Sequence, residues 1–108
     1  NFILKAFENE GVSFDEIFER QVQALGKKGD VLIGISTSGN SKNIIRAIEA
    51  ASPLGIITIA LTGEGGLIAE IANIAIKVPS ANTQYIQESH LAIEHLLCEI
   101  VERNLFKL

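Results

Sequence analysis

Two short apolar runs, Val31-Leu32-Ile33-Gly34-Ile35 and Ile56 to Leu61, constrain the fold more than any other feature of this chain. Both are continuous rather than alternating. The first lies between Gly29-Asp30 and a serine-rich loop, the second between Pro53-Leu54-Gly55 and Thr62-Gly63. An alternating strand keeps one face in water, whereas a continuous apolar run suits a strand buried on both faces. Between them, Asn43 to Ala51 places Ile44, Ile48 and Ala51 on one side at helical spacing. A strand, a helix and a second strand joined this way form a right-handed βαβ unit with parallel strands.

The rest of the chain extends the alternation. Leu67 to Ile71 reads as a short helix, Ile74 to Val78 as a third strand stopped by Pro79, and Gln84 to Arg103 as a long helix with Ile86, Ile93, Leu97 and Ile100 as its apolar row. Upstream, Ser13-Phe14-Asp15-Glu16 has the form of a capping box, and Val12 with Ile17 supplies a hydrophobic staple. A helix is therefore expected from Phe14, with Phe14, Phe18, Val22 and Leu25 on one face and Gly26 to Gly29 ending it. Phe2 to Glu8 is expected to be helical too.

Composition narrows the partners. With 47% hydrophobic and 20% charged residues, the chain is not a disordered tail. Nine Lys and Arg against 13 Asp and Glu give a net charge of −4, and no basic cluster exceeds Lys27-Lys28, which argues against nucleic-acid binding. A lone cysteine, Cys98, makes no internal disulfide, so the cytoplasm is the expected compartment, and Cys98 itself is expected in the core. No apolar window approaches the ~18 residues of a membrane span, and Asn1 to Lys5 is no signal peptide. The chain has 108 residues, opens on Asn1 and lacks methionine, so it is expected to be part of a longer reading frame.

In open parallel sheets, ligands bind beyond the carboxyl ends of the strands. Two loops fall there. Ser36-Thr37-Ser38-Gly39-Asn40-Ser41 carries four hydroxyls into a helix start, with amides freed by Gly39. The combination forms an anion site without Lys or Arg, suited to one phosphate group. It matches neither the P-loop nor the dinucleotide fingerprint. The plainer alternative is a polar loop with Asn40 or Ser41 as N-cap. The second loop, Thr62-Gly63-Glu64-Gly65-Gly66, reads as structural.

On the last helix, at ~100° per residue, Gln87 and His95 fall ~80° apart on one flank. They meet on one ligand only across a subunit or helix junction, or through a metal. His90 and His95 are ~140° apart and make no helical metal pair. His90 and Glu94, at i and i+4, are expected to pair at the surface.

The run Gly29 to Ser41, followed by Leu61-Thr62-Gly63 and then by Tyr85-Ile86-Gln87-Glu88 with His95, resembles the SIS (sugar isomerase) domain, in its phosphoheptose isomerase branch. The resemblance implies a three-layer α/β sandwich with a five-stranded parallel sheet, of SIS or flavodoxin-like kind, of which only the last three strands and their helices are present. Residues 1–108 would then be the C-terminal portion of a single SIS domain. It further implies that Ser36, Thr37, Ser38 and Ser41 hold the substrate phosphate, and that His95 is catalytic. Gln87 and His95 would help hold zinc. Thr83 matches a common family position without an assigned role. The family's long first helix, its Gly-Asn-Gly-Gly-Ser loop and its helix with a catalytic glutamate and a histidine have no counterpart here.

The function so implied is isomerisation of sedoheptulose 7-phosphate to a heptose 7-phosphate by a cytoplasmic homo-oligomer, a tetramer in the family. Moving a proton between adjacent carbons through an enediol needs a base, an acid and a grip on the remote phosphate. The chain offers the grip and His95, and the carboxylate base is expected outside it, leaving residues 1–108 inactive alone. The alternative is a non-catalytic SIS module that binds sugar phosphates or associates with a replication initiator.

Overall fold

The computed structural model describes residues 16–106. The expected helix over Phe2 to Glu8, and the capping residue Ser13, lie outside them. The elements run α1 (Ile17–Leu25), β1 (Val31–Ser36), α2 (Lys42–Ala51), a 3-10 turn (Ser52–Leu54), β2 (Ile57–Thr62), α3 (Leu67–Ile71), β3 (Ile74–Lys77) and α4 (Thr83–Phe106). The three strands form one parallel sheet in the order β1-β2-β3. Val31 pairs with Ile57 through to Ser36 with Thr62, and Ile59 with Ile74 through to Thr62 with Lys77. Each strand expected from an apolar run is present, displaced by one residue at most.

One face of this sheet is closed. Ile48 of α2, Ala60 of β2 and Ile68 of α3 pack together with Leu32, Ile44 and Ile71 around them. Beside them Val22 of α1 joins Ala47, Ala51 and Ile56, flanked by Phe18 and Leu32. Burial of such aliphatic side chains stabilises by about 1.5–3 kcal/mol each, which makes this layer the core.

The opposite face departs from expectation. Because register puts Val31, Ile33 and Ile35 on the same side as Ile57, Leu61 and Ile74, burial of both faces would cover them all. Instead Val31 is 55% exposed, with Ile33, Ile35, Ile57 and Ile74 also open, and only Leu61 is fully buried. Helices α1 to α3 pack on the other side, and α4 meets the sheet at the carboxyl end of β2 through Ile86 and His90. β1 is also an edge strand among the described residues. An apolar, unpaired edge of this kind calls for covering.

β3 is short because its start is set by a side chain. The Asn73 Oδ1 accepts from the Thr58 N–H at 2.9 Å and the Thr58 hydroxyl at 3.1 Å, while the Asn73 N–H donates to that hydroxyl at 2.9 Å. This clasp stands one step before the first β2–β3 pair and satisfies a fully buried threonine.

Candidate functional site: the loops beyond the carboxyl ends of the strands

β1 ends on Ser36, whose side chain is buried and points to the α2 side of the sheet by strand alternation. Its Oγ is a hub. It accepts from the Gly39 N–H at 3.0 Å and lies 2.8 Å from the Ser41 Oγ and 3.3 Å from the Ser38 Oγ. The Ser38 Oγ in turn accepts from the Asn40 N–H at 3.1 Å. The four-hydroxyl loop is thus knitted from within. Ser41 is the N-cap of α2 by position, yet makes no side-chain capping bond, because its hydroxyl is turned to Ser36. Of the first-turn amides, the Ile44 N–H is taken by the Asn43 Oδ1 at 2.9 Å and the Ser41 carbonyl at 3.1 Å, while those of Lys42 and Asn43 are left by the cap side chain to add the partial positive charge of a helix start.

The glycine loop buttresses the serine loop. The Gly63 N–H donates to the Thr37 carbonyl at 3.0 Å, the Ile68 N–H to the Gly39 carbonyl at 3.0 Å, and the Leu67 N–H to the Asn40 Oδ1 at 3.0 Å. Gly39 and Gly66 both have positive φ, +73° and +105°, and a Cβ on Gly39 would stand 1.9 Å from the Gly65 carbonyl oxygen. Only glycine permits that approach. Thr62 to Gly66 thus supports the hydroxyl loop.

Two cavities flank the serine loop. One, of about 510 Å³, is bounded by Thr37, Ser38, Glu64, Gly65, Ser80 and Thr83. The other, of about 520 Å³, lies between Ser36, Thr37 and Ser41 on one side and Gln87, His90 and Glu94 of α4 on the other. Thr37 belongs to both. The second has Gln87 in its wall, across from the hydroxyl loop. His95 is elsewhere: it is exposed, in a depression with Glu94, Cys98, Glu99 and Glu102. Among the described residues no group of three or more His, Cys, Asp or Glu could hold a metal ion. Gln87 and His95 alone do not close a zinc site, which takes three or four protein ligands.

Three expectations for α4 are corrected. His90 does not pair with Glu94 at the surface: it is 2% exposed and its Nε2 bonds the Thr62 carbonyl at 2.8 Å. Cys98 is exposed rather than in the core. Of the apolar row, Ile86 is buried and Ile93 and Leu97 half-buried, but Ile100 is 46% exposed. The four-residue step from Ile86 to His90 was the signal that would have put the histidine on the inner face. Glu94 and Asn40, one lining the cavity and the other joining the loops, were likewise not singled out as site residues.

A family model described as the SIS domain matches residues 5–63. A phosphoheptose isomerase of Aquifex aeolicus is 54% identical over 101 residues, 93% of this chain and 52% of that protein. One of Akkermansia muciniphila is 48% identical over 105 residues, 96% of this chain and 55% of that protein. Among solved structures, the phosphoheptose isomerase of Neisseria gonorrhoeae matches with a TM-score of 0.83 at 44% identity, covering 93% of this chain and 57% of that one. The chain spans about half the length of the curated relatives it matches.

Proposed function

Because the chain belongs to the SIS domain family, we propose that the complete protein isomerises sedoheptulose 7-phosphate to a heptose 7-phosphate through an enediol. The observation that carries this reading is the hydroxyl loop Ser36 to Ser41, knitted at the carboxyl end of the sheet, in a chain about half identical to proteins named phosphoheptose isomerase. That naming does not favour the non-catalytic alternative.

In this reading the loop grips the phosphate with hydroxyls and helix-start amides, with Ser36 shaping the loop and Thr37, Ser38 and Ser41 facing the ligand. Binding energy from that remote group assists proton movement at the other end of the sugar. Gln87, across the cavity from the loop, orients the sugar chain. His95 supplies acid/base chemistry. Since His95 is exposed on a separate part of α4, it serves a site completed by a neighbouring subunit. The exposed apolar residues Leu91, Leu96, Ile100, Val101 and Leu105 of the same helix support a homo-oligomer, a tetramer by family resemblance. Zinc would take His95 with further ligands from outside the described residues, Gln87 lying in a separate cavity along the same helix. The carboxylate base also comes from outside residues 1–108. Among the described residues no helix is long and apolar enough to cross a membrane, and the cytoplasm is the compartment proposed.

The test is an assay of the complete protein with sedoheptulose 7-phosphate, identifying the product. An aldoheptose 7-phosphate is expected. Tight binding of the sugar phosphate without any turnover would replace the isomerase with a binding module.

A further inference from the structure

The peptide group between Thr62 and Gly63 joins three parts of the site. Its N–H donates to the Thr37 carbonyl of the hydroxyl loop at 3.0 Å, and its carbonyl accepts from the Val78 N–H at 3.0 Å and from the His90 Nε2 at 2.8 Å. A carbonyl oxygen only accepts, so His90 carries its proton on Nε2. Nδ1 is then left buried without a partner, one of two such side-chain atoms among the described residues. A leucine or phenylalanine would fill the same space without stranding a polar atom, so packing alone does not account for a histidine here. What only the histidine supplies is the donor to Thr62. Three residues back along α4 stands Gln87, in the wall of the same cavity as His90, Ser36 and Ser41. The fit is close on this side: a Cβ on Gly63 would meet the Ile86 Cδ1 at 2.7 Å and the Thr37 carbonyl oxygen at 2.8 Å.

We infer that His90 is a positioning residue, which through Thr62 fixes the face of α4 bearing Gln87 at a set distance from the hydroxyl loop. The inference rests on the sugar-phosphate reading above for its ligand, but not for the tie itself. A bond to the peptide that also holds Thr37 couples the two walls of the cavity, so that Gln87 meets a sugar whose phosphate is already seated.

The experiment uses the complete protein with inorganic phosphate and sedoheptulose 7-phosphate as probes. His90→Phe should leave the phosphate Kd within about twofold and weaken the sugar phosphate about tenfold, with His90→Gln, whose Nε2 sits the same number of bonds from the backbone, restoring most of it. In a Gln87→Ala background His90→Phe should have no further effect on sugar-phosphate binding; additive losses would overturn the inference. Hydrogen exchange of the Gly63 amide, which needs no ligand, should be about tenfold faster in His90→Phe than in wild type or His90→Gln, and equal rates would also overturn it. Should His90→Phe not fold, His90→Asn, whose donor falls one bond short, takes its place against His90→Gln; equal exchange and binding in the two overturn the tie. A wild type that binds neither probe overturns the sugar-phosphate reading, and the exchange rates still decide the tie.

Discussion

The Ser36 and Ser41 hydroxyl oxygens stand 2.8 Å apart, closing a six-residue loop between the end of β1 and the start of α2. Ser36 also accepts the Gly39 N–H. Ser36→Ala should therefore remove the oxygen that ties Ser38, Gly39 and Ser41 together, leaving the Gly39 N–H on the Ser36 carbonyl alone, and loosen the loop at a cost of about 1 kcal/mol of stability in urea unfolding. The Kd for a sugar phosphate, by calorimetry, should rise about tenfold. Ser41→Ala, at a half-buried position, should lose binding with a smaller effect on unfolding.

Gly39→Ala tests the buttress. Its φ of +73° and the 1.9 Å approach of its Cβ to the Gly65 oxygen combine backbone strain of about 1–2 kcal/mol with a clash against backbone. A loss of about 2 kcal/mol or more is expected in unfolding experiments. Wild-type stability would show that the two loops can part without cost.

Asn73 offers a cleaner separation of chemistry from shape. Its Oδ1 only accepts, from the Thr58 N–H and hydroxyl. Asn73→Asp keeps an acceptor there and should be tolerated. Asn73→Ala leaves the Thr58 N–H without that acceptor and should cost about 1–3 kcal/mol, read from urea midpoints.

For His95 the expected outcome concerns turnover. In the complete protein, His95→Ala should cut kcat about a hundredfold or more while the Kd for a phosphate ligand stays near wild type, because the histidine lies outside the cavity of the hydroxyl loop. Near-normal turnover would remove it from the chemistry.

Much of this arrangement was legible beforehand. The strands follow from Val31 to Ile35 and Ile56 to Leu61, and the hydroxyl loop from four Ser or Thr residues between a strand and a helix. These are local signals, carried by runs of neighbouring residues. Burial was harder to read. A continuous apolar run looks the same whether its second face is covered by a helix or stands open, as in Val31, Ile33 and Ile35. The orientation of α4 was harder still, since apolar residues surround much of it: Ile86 is buried while Leu91, Leu96, Ile100, Val101 and Leu105 are exposed. With no single stripe, periodicity does not choose an inner face.

The sequence by itself determined that the strands are parallel and that serine hydroxyls crowd the carboxyl end of the first one, because apolar continuity and turn chemistry are properties of adjacent residues. Only the tertiary structure decided which histidine faces the sheet. Gly63 leaves room for Ile86 to press against the end of β2, and that contact brings His90 under α4 to the Thr62 carbonyl while His95 and Cys98 face outward. The helix rotation that buries His90 and exposes His95 is set by a close packing contact 23 residues away along the chain from Ile86 to Gly63, and the step from Ile86 to His90 points inward only once that contact has placed Ile86.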